Sequence, residues 1–144
     1  MRVVVGQGSC GIATGAKKTA AEFEKQIAEK NLNINVDVTG CVGTCYLEPI
    51  VDVYEDNGEM TRYVKVKPEN VEKIVESHLV NNTVCEEQAI TAEDEQFVAK
   101  QQRVVLRNCG VINPENIDEY IAVDGYKAIE KVVEVKKRGG KVAA

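Results

Sequence analysis

TGCVGTCYLEP, residues 39–49, places two thiols inside a glycine-rich turn. Cys41 and Cys45 have three residues between them. Before the turn, Ile34, Val36 and Val38 alternate with polar residues, the period of a half-buried strand. After it, Ile50, Val51 and Val53 read as a further strand. The thiols therefore lie between two strands, at one end of a sheet. A disulfide, a zinc site, a thiol redox centre and half of an iron–sulfur site all remain open from this stretch alone.

Upstream, Arg2–Val5 is a β-branched run ending at Gly6. GQGSCGIATG follows, with glycine at Gly6, Gly8, Gly11 and Gly15, and reads as a turn carrying Cys10. Ala16, Ala20, Phe23 and Ile27 then recur at helical spacing, with charged residues on the other face, predicting an amphipathic helix that ends near Asn31. Downstream, EDNGEM is a hairpin signal, Thr61–Val66 is the return strand, and Pro68 suits the first turn of a helix whose apolar face is Val71, Ile74, Val75 and Leu79. The order is β-α-β-β-β-α. If the first two strands are parallel neighbours, both cysteine turns meet at one sheet end. Three thiolates then converge.

Past residue 80 the character changes. NNTVCEEQAITAEDEQF is polar and acidic without a clear period, and reads as a linker or extended wrap. RVVLRNCGVINP reads as a short strand and turn. Asn113 and Pro114 then cap and open a helix, Asp124 caps a last one carrying Ala128, Ile129, Val132 and Val133, and KKRGGKVAA is a frayed end. The likeness of KPENVEKIV to NPENIDEYI is explained by two proline-opened helices rather than a repeat.

The 144 residues suit one compact domain with an appendage. Net charge is −5 without a basic stripe, which argues against a nucleic-acid partner. No apolar run is long enough for a signal peptide or membrane span, so a cytoplasmic chain without membrane insertion is expected. In that reducing compartment, five cysteines point to metal, redox chemistry or burial rather than to structural disulfides. A single His cannot build a His-based metal site or triad. Zinc wants four ligands in paired spacings, and only one such pair exists here. A dithiol centre prefers C-x-x-C opening a helix, whereas this pair is C-x-x-x-C before a strand. A [2Fe–2S] cluster wants four thiolates, of which this layout gathers three.

GSCGIATGA (8–16) and GCVGTCYLEP (40–49) resemble the thioredoxin-like [2Fe–2S] ferredoxin domain, found in the small iron–sulfur subunit of respiratory complex I and at the N-terminus of the flavin subunits of NAD(P)-linked, often electron-bifurcating, hydrogenases. Residues 101–132 resemble the segment leading into the flavin- and NADH-binding domain of those subunits. The resemblance implies a thioredoxin-like α/β domain at 1–80, with 81–144 as linker and helical extension. It implies a [2Fe–2S] cluster on Cys10, Cys41 and Cys45, no catalytic residue, and no flavin or NAD site in this chain. The partners it implies are flavin/NADH-binding oxidoreductase or hydrogenase subunits, or a homodimer. The family's first cysteine falls at Val5, which cannot bind iron. Ser9, Gln7, a solvent species, Cys85 or Cys109 are the substitutes considered, with packing the commoner role for the last two. His78 is expected as a structural residue beside the Leu79 face, and Pro49 as a cis proline. An accessory electron-transfer subunit is the leading reading. A cluster-free docking or assembly module comes second, and a thiol redox protein third.

Overall fold

A computed structural model describes residues 1–139. Four strands, β1 (Arg2–Gly6), β2 (Asn35–Thr39), β3 (Val51–Tyr54) and β4 (Met60–Tyr63), form one sheet in the order β2-β1-β3-β4. β1 and β2 are parallel, with Val5 opposite Val38 and Gly6 opposite Thr39; β3 runs antiparallel to both β1 and β4. Parallel neighbours require a crossover, and here it is helical. α1 (Ser9–Thr14) and α2 (Ala16–Glu29) supply it, and α3 (Pro68–Ile74) follows β4 and continues as a π-turn over Val75–Val80. The architecture is the mixed α/β layer expected of a thioredoxin-like domain.

Alternation decides which face is covered. Val3, Val5, Val51 and Val53 point to one side and pack with Phe23 and Ile27 of α2 and with Val71 and Ile74 of α3, all buried. Burying each such side chain contributes roughly 1.5–3 kcal/mol. Thr19 of α2 donates its hydroxyl to the Val66 carbonyl at 2.8 Å, tying helix to loop inside this core. On the other face Asp52 takes a bidentate pair of bonds from Arg62, both 2.7 Å, and the Arg2 guanidinium lies over the Tyr54 ring. Thus polar residues of the β3–β4 pair cover their own face.

The helix face Val71, Ile74, Val75 and Leu79 is buried as its spacing predicts. His78 is 1 % exposed. Tyr63 and Glu55 hold its ring: Tyr63 Oη lies 2.7 Å from Nδ1 and Glu55 Oε1 lies 3.2 Å from Nε2. Because Tyr63 Oη already accepts the Cys85 N–H, its own proton goes to Nδ1, and Nε2 then donates to Glu55. The Glu48–Pro49 bond is cis.

Several local readings need correction. GQGSCGIATG is not all turn: Ser9–Thr14 is helical, with Thr14 Oγ1 donating to the Cys10 carbonyl at 3.0 Å. Gly11 permits that helix to sit on β1, since a Cβ there would lie 2.4 Å from the Gly6 carbonyl oxygen. The return strand is shorter than Thr61–Val66, because Lys65 turns the chain at φ 52°. The acidic stretch after residue 80 contains a helix, α4 (Ala92–Ala99), capped by Thr91 accepting the Asp94 N–H at 3.2 Å. Ahead of it the chain does run extended along β4, with Val64 N–H to Gln88 O and Ile90 N–H to Arg62 O, both 2.9 Å, covering that edge. RVVLRNCGVINP forms turns rather than a strand. α5 (Ile117–Ala122) is capped by Asn116 rather than Asn113, and α6 (Lys127–Lys137) starts after Tyr126, with Asp124 two residues too early to cap it. KKRGGKVAA is helical through Lys137, and its residues 140–144 lie outside the described part. Among the described residues no helix is long and apolar enough to cross a membrane.

Candidate metal centre

β1 and β2 end side by side, and the Gln7 N–H donates to the Thr39 carbonyl at 2.8 Å just beyond them. The two cysteine turns therefore leave the sheet together. They touch at Gly8, where a Cβ would come 2.6 Å from the Cys41 Cβ. Any side chain at position 8 would push the turns apart. Gly43 takes φ 92°, closing the C-V-G-T-C turn, and its N–H reaches Cys41 Sγ at 3.3 Å. Cys41 Sγ and Cys45 Sγ are 3.7 Å apart. Cys10, in the first turn of α1, lies close enough to Cys45 to influence its thiol. The three cysteines named from the sequence are thus neighbours, with Cys45 between the other two.

Among the described residues no group of three or more His, Cys, Asp or Glu side chains is gathered tightly enough to cage a single metal ion. A dinuclear cluster makes a different demand, since its protein ligands divide between two irons. Three features fit such a group. The donors are thiols in a glycine cradle. A backbone N–H points at one of the sulfurs. Thr44, 1 % exposed and lying between Cys41 and Cys45 in sequence, has a buried hydroxyl without a partner among the described residues.

The electrostatics describe thiols at rest. Burial pushes the Cys41 thiol up, against the Gly43 N–H that draws it down. Contact with Cys10 pushes Cys45 up, against the lowering effect of Cys41. Both are thiols rather than thiolates at neutral pH, so loading a metal must release their protons. A raised thiol is also a weak nucleophile, which counts against dithiol exchange.

The position of the missing donor and one of the thiols considered as its replacement both lie in the core. Val5 is fully buried in the main core, so its position belongs to packing. Cys85 is buried in that core too, with its Sγ donating to Gln88 Oε1 at 3.0 Å. Ser9 is exposed at the start of α1 and Gln7 is half-buried. Cys109 is brought nearer than packing alone would suggest. Thr39 Oγ1 donates to the Ile112 carbonyl at 3.0 Å and Val42 packs on Gly110, so Cys109 lines a cleft of about 140 Å³ with Gly40. The sequence reading passed over Glu48 and Thr44. Both lie inside the quoted motif, yet no spacing marks them; their burial does. Glu48 is 7 % exposed, with its carboxylate accepting the Ile50 N–H at 2.9 Å, and burial pushes its pKa up.

No family model matches the chain. It is 35% identical over 80 residues to a 2Fe-2S ferredoxin of Clostridium pasteurianum, an alignment covering 54% of this chain and 74% of that one. It is 37% identical over 75 residues to a 2Fe-2S ferredoxin of Aquifex aeolicus, covering 51% of this chain and 65% of the relative. Over 34 residues it is 56% identical to the NADP-reducing hydrogenase subunit HndC of Solidesulfovibrio fructosivorans, which is 24% of this chain but 7% of that subunit. The chain thus spans a small fraction of the hydrogenase subunit and just under two thirds of the Aquifex ferredoxin. In three dimensions it is similar to the crystal structure of the wild-type thioredoxin-like [2Fe–2S] ferredoxin from Aquifex aeolicus, with a TM-score of 0.53, 27% identity, and coverage of 62% of this chain and 95% of that one. A variant of that ferredoxin with one cysteine changed to serine gives a TM-score of 0.55 at 27% identity, over 62% of this chain and 97% of the other.

Proposed function

Because this chain belongs to the thioredoxin-like [2Fe–2S] ferredoxins, we propose that it is an electron-transfer subunit or domain of an NAD(P)H-linked oxidoreductase or hydrogenase complex, with Cys10, Cys41 and Cys45 as cluster ligands. The observation that carries the reading is the gathering of thiols at the ends of two parallel strands, Cys45 at 3.7 Å from Cys41 with Cys10 near Cys45. When bound, the cluster supplies a one-electron couple. The chain's residues do the rest. The three cysteines would give up their protons to hold its irons. The Gly43 N–H, 3.3 Å from Cys41 Sγ, would stabilise negative charge on that sulfur. Gly8 lets the two turns close. The exposed Cys45 would keep the cluster near the surface, where an electron could pass to a partner.

We assign the cluster to residues 1–80 and partner contact to 81–144. None of α4, α5 or α6 buries a residue, while Val105, Leu106, Ile117, Ile121 and Ile129 are all more than half exposed. That much apolar surface on an extension fits a flavoprotein or hydrogenase subunit as its partner.

Iron and acid-labile sulfide on anaerobically reconstituted protein test the reading. About two of each per chain, with visible absorption that bleaches on reduction, are expected. Cys45→Ser should lose the iron and keep the far-ultraviolet circular dichroism of the fold. A wild-type chain that takes up neither iron nor sulfide overturns the electron-transfer reading. The second reading is a cluster-free docking module, supported by Val5 in the core and by the exposed extension. It requires the iron-free chain to bind a purified flavin subunit of a hydrogenase, with binding lost when residues 81–144 are removed.

A further inference from the structure

Residues 40–44, which carry Cys41, belong to no helix or strand. No ladder of backbone bonds holds this turn, so its shape depends on what packs against it. Contacts from the extension reach it at both ends. Tyr46, which directly follows Cys45, donates its hydroxyl to Asp94 Oδ1 at 2.7 Å. Thr91 donates to the other oxygen of that carboxylate at 2.9 Å and so presents it to Tyr46. At the opposite end Thr39 Oγ1, two residues before Cys41, donates to the Ile112 carbonyl at 3.0 Å. Val42, the residue after Cys41, sits against Gly110, where a Cβ would come 2.4 Å from Val42 Cγ1. Underneath, Val42, Leu47 and Ile50 form a small core on which Ile90 packs.

Resting on the cluster reading above, we propose that residues 90–112 are a clasp that holds Cys41 and Cys45 in place, with Tyr46, Thr39 and Gly110 as positioning residues. Each contact falls on a residue one or two places from a thiol. The clasp therefore acts on the backbone that carries the sulfurs. A segment held by a few exposed contacts opens locally far more often than the whole domain unfolds. Each opening of the clasp frees the turn, uncovers Cys41 and loosens the grip of both thiols on iron.

Gly110 is the residue this arrangement can least exchange. Its φ is 81°, which disfavours any side chain, and the space a Cβ needs is taken by Val42. The Arg103 guanidinium donates to the Cys109 carbonyl at 2.8 Å, so the loop before Gly110 is closed on itself just behind the contact. A glycine in the left-handed region, pressed onto the side chain that follows Cys41, is what lets the extension lie close to the turn.

The test measures two rates on the full chain. One is alkylation of the half-buried Cys41 by iodoacetamide in the iron-free protein, mapped by mass spectrometry. The other is loss of visible absorption to EDTA after anaerobic reconstitution. Tyr46→Phe and Thr39→Val each delete one hydrogen bond and are expected to speed both rates by about 2–10-fold, the local opening that one net hydrogen bond holds back. Gly110→Ala is expected to speed them at least as much. Thr39→Ser keeps the donor and is expected to match wild type. So is Gly139→Ala, which carries similar left-handed strain, φ 74°, where no atom lies within 4 Å. Ile74→Ala, a change in the main core, is expected to lower the denaturant midpoint and leave both rates near wild type. Unchanged rates in Tyr46→Phe, Thr39→Val and Gly110→Ala overturn the clasp. Equal quickening in Ile74→Ala also overturns it, because the thiol is then uncovered by global unfolding. A wild type that takes up no iron defeats the cluster reading, and the alkylation rates then decide the clasp by themselves.

Discussion

KPENVEKIV, residues 67–75, and NPENIDEYI, residues 113–121, are nearly the same helix signal with opposite fates. In the first, Pro68 opens α3, the Asn70 side chain accepts the Lys67 N–H at 3.1 Å, and Val71, Ile74 and Val75 are all 0 % exposed. In the second, the helix starts three residues past Pro114. Asn116 becomes the cap, accepting the Asp118 N–H at 3.0 Å, and Glu119 folds back on Asn113. The residues aligned with the buried three, Ile117, Tyr120 and Ile121, are 58%, 42% and 51% exposed. Capping chemistry and apolar period specify a helix in both places. Only the first has a sheet beneath it. Burial comes from what the chain packs on, not from the apolar period alone.

The sharpest way to break the comparison is to truncate one apolar residue on each helix. Ile74→Ala should destabilise the isolated chain by about 2–5 kcal/mol, from lost transfer energy and the cavity left behind. Ile121→Ala should stay within about 0.5 kcal/mol. Denaturant midpoints measure both. Equal losses would mean that the extension packs on the body in solution.

Next in size is the tie that locks the first helix to the sheet. Tyr63→Phe leaves His78 Nδ1 and the Cys85 N–H without their partner, and should destabilise by about 1–3 kcal/mol. It also predicts a pH signature. Burial pushes the Tyr63 phenol from 10.0 up to about 12. The folded state thus keeps this proton after the unfolded chain has lost it, so the Tyr63 contribution is whole below pH 10 and fades as pH rises through about 12. Unfolding midpoints above and below pH 10 should fall less in Tyr63→Phe than in wild type. An identical alkaline decline in both proteins would remove Tyr63 as its source.

The smallest effect separates local from global stability. Asn116→Ala should weaken α5 by about 0.5–2 kcal/mol, the usual value of a lost cap. Amide exchange of residues 117–122 should quicken while the global midpoint stays put. If the midpoint moves as well, α5 is part of the cooperative unit after all.

Much of this was legible before the structure. Alternation at Ile34–Val38, the run Arg2–Val5 and the spacing of Ala16, Ala20, Phe23 and Ile27 each encode their periodicity in a few consecutive residues, and those elements formed. The cysteine turns were legible for the same reason, since parallel strands bring their ends together. What misled the reading was short-range ambiguity. Glycines in GQGSCGIATG signal a turn, but Gly11 serves the contact of α1 with the Gly6 carbonyl, a fact about a neighbouring strand. VVL at 104–106 looks like a strand by composition, yet among the described residues it pairs with no strand and forms turns, and unpaired backbone cannot make a strand by itself.

By itself, then, the sequence determined the order of the four strands, the core faces of α2 and α3, and the turns that carry Cys10, Cys41 and Cys45, because period and spacing are local properties of the chain. Tertiary structure alone decided that Glu48 fills the side-chain space at Gly6, that Cys109 comes to the cleft beside Gly40, that His78 is held by Tyr63 and Glu55, and that one of two look-alike helices is buried. Each of these joins residues distant in the chain, and such contacts exist only after the sheet has brought its strands into register.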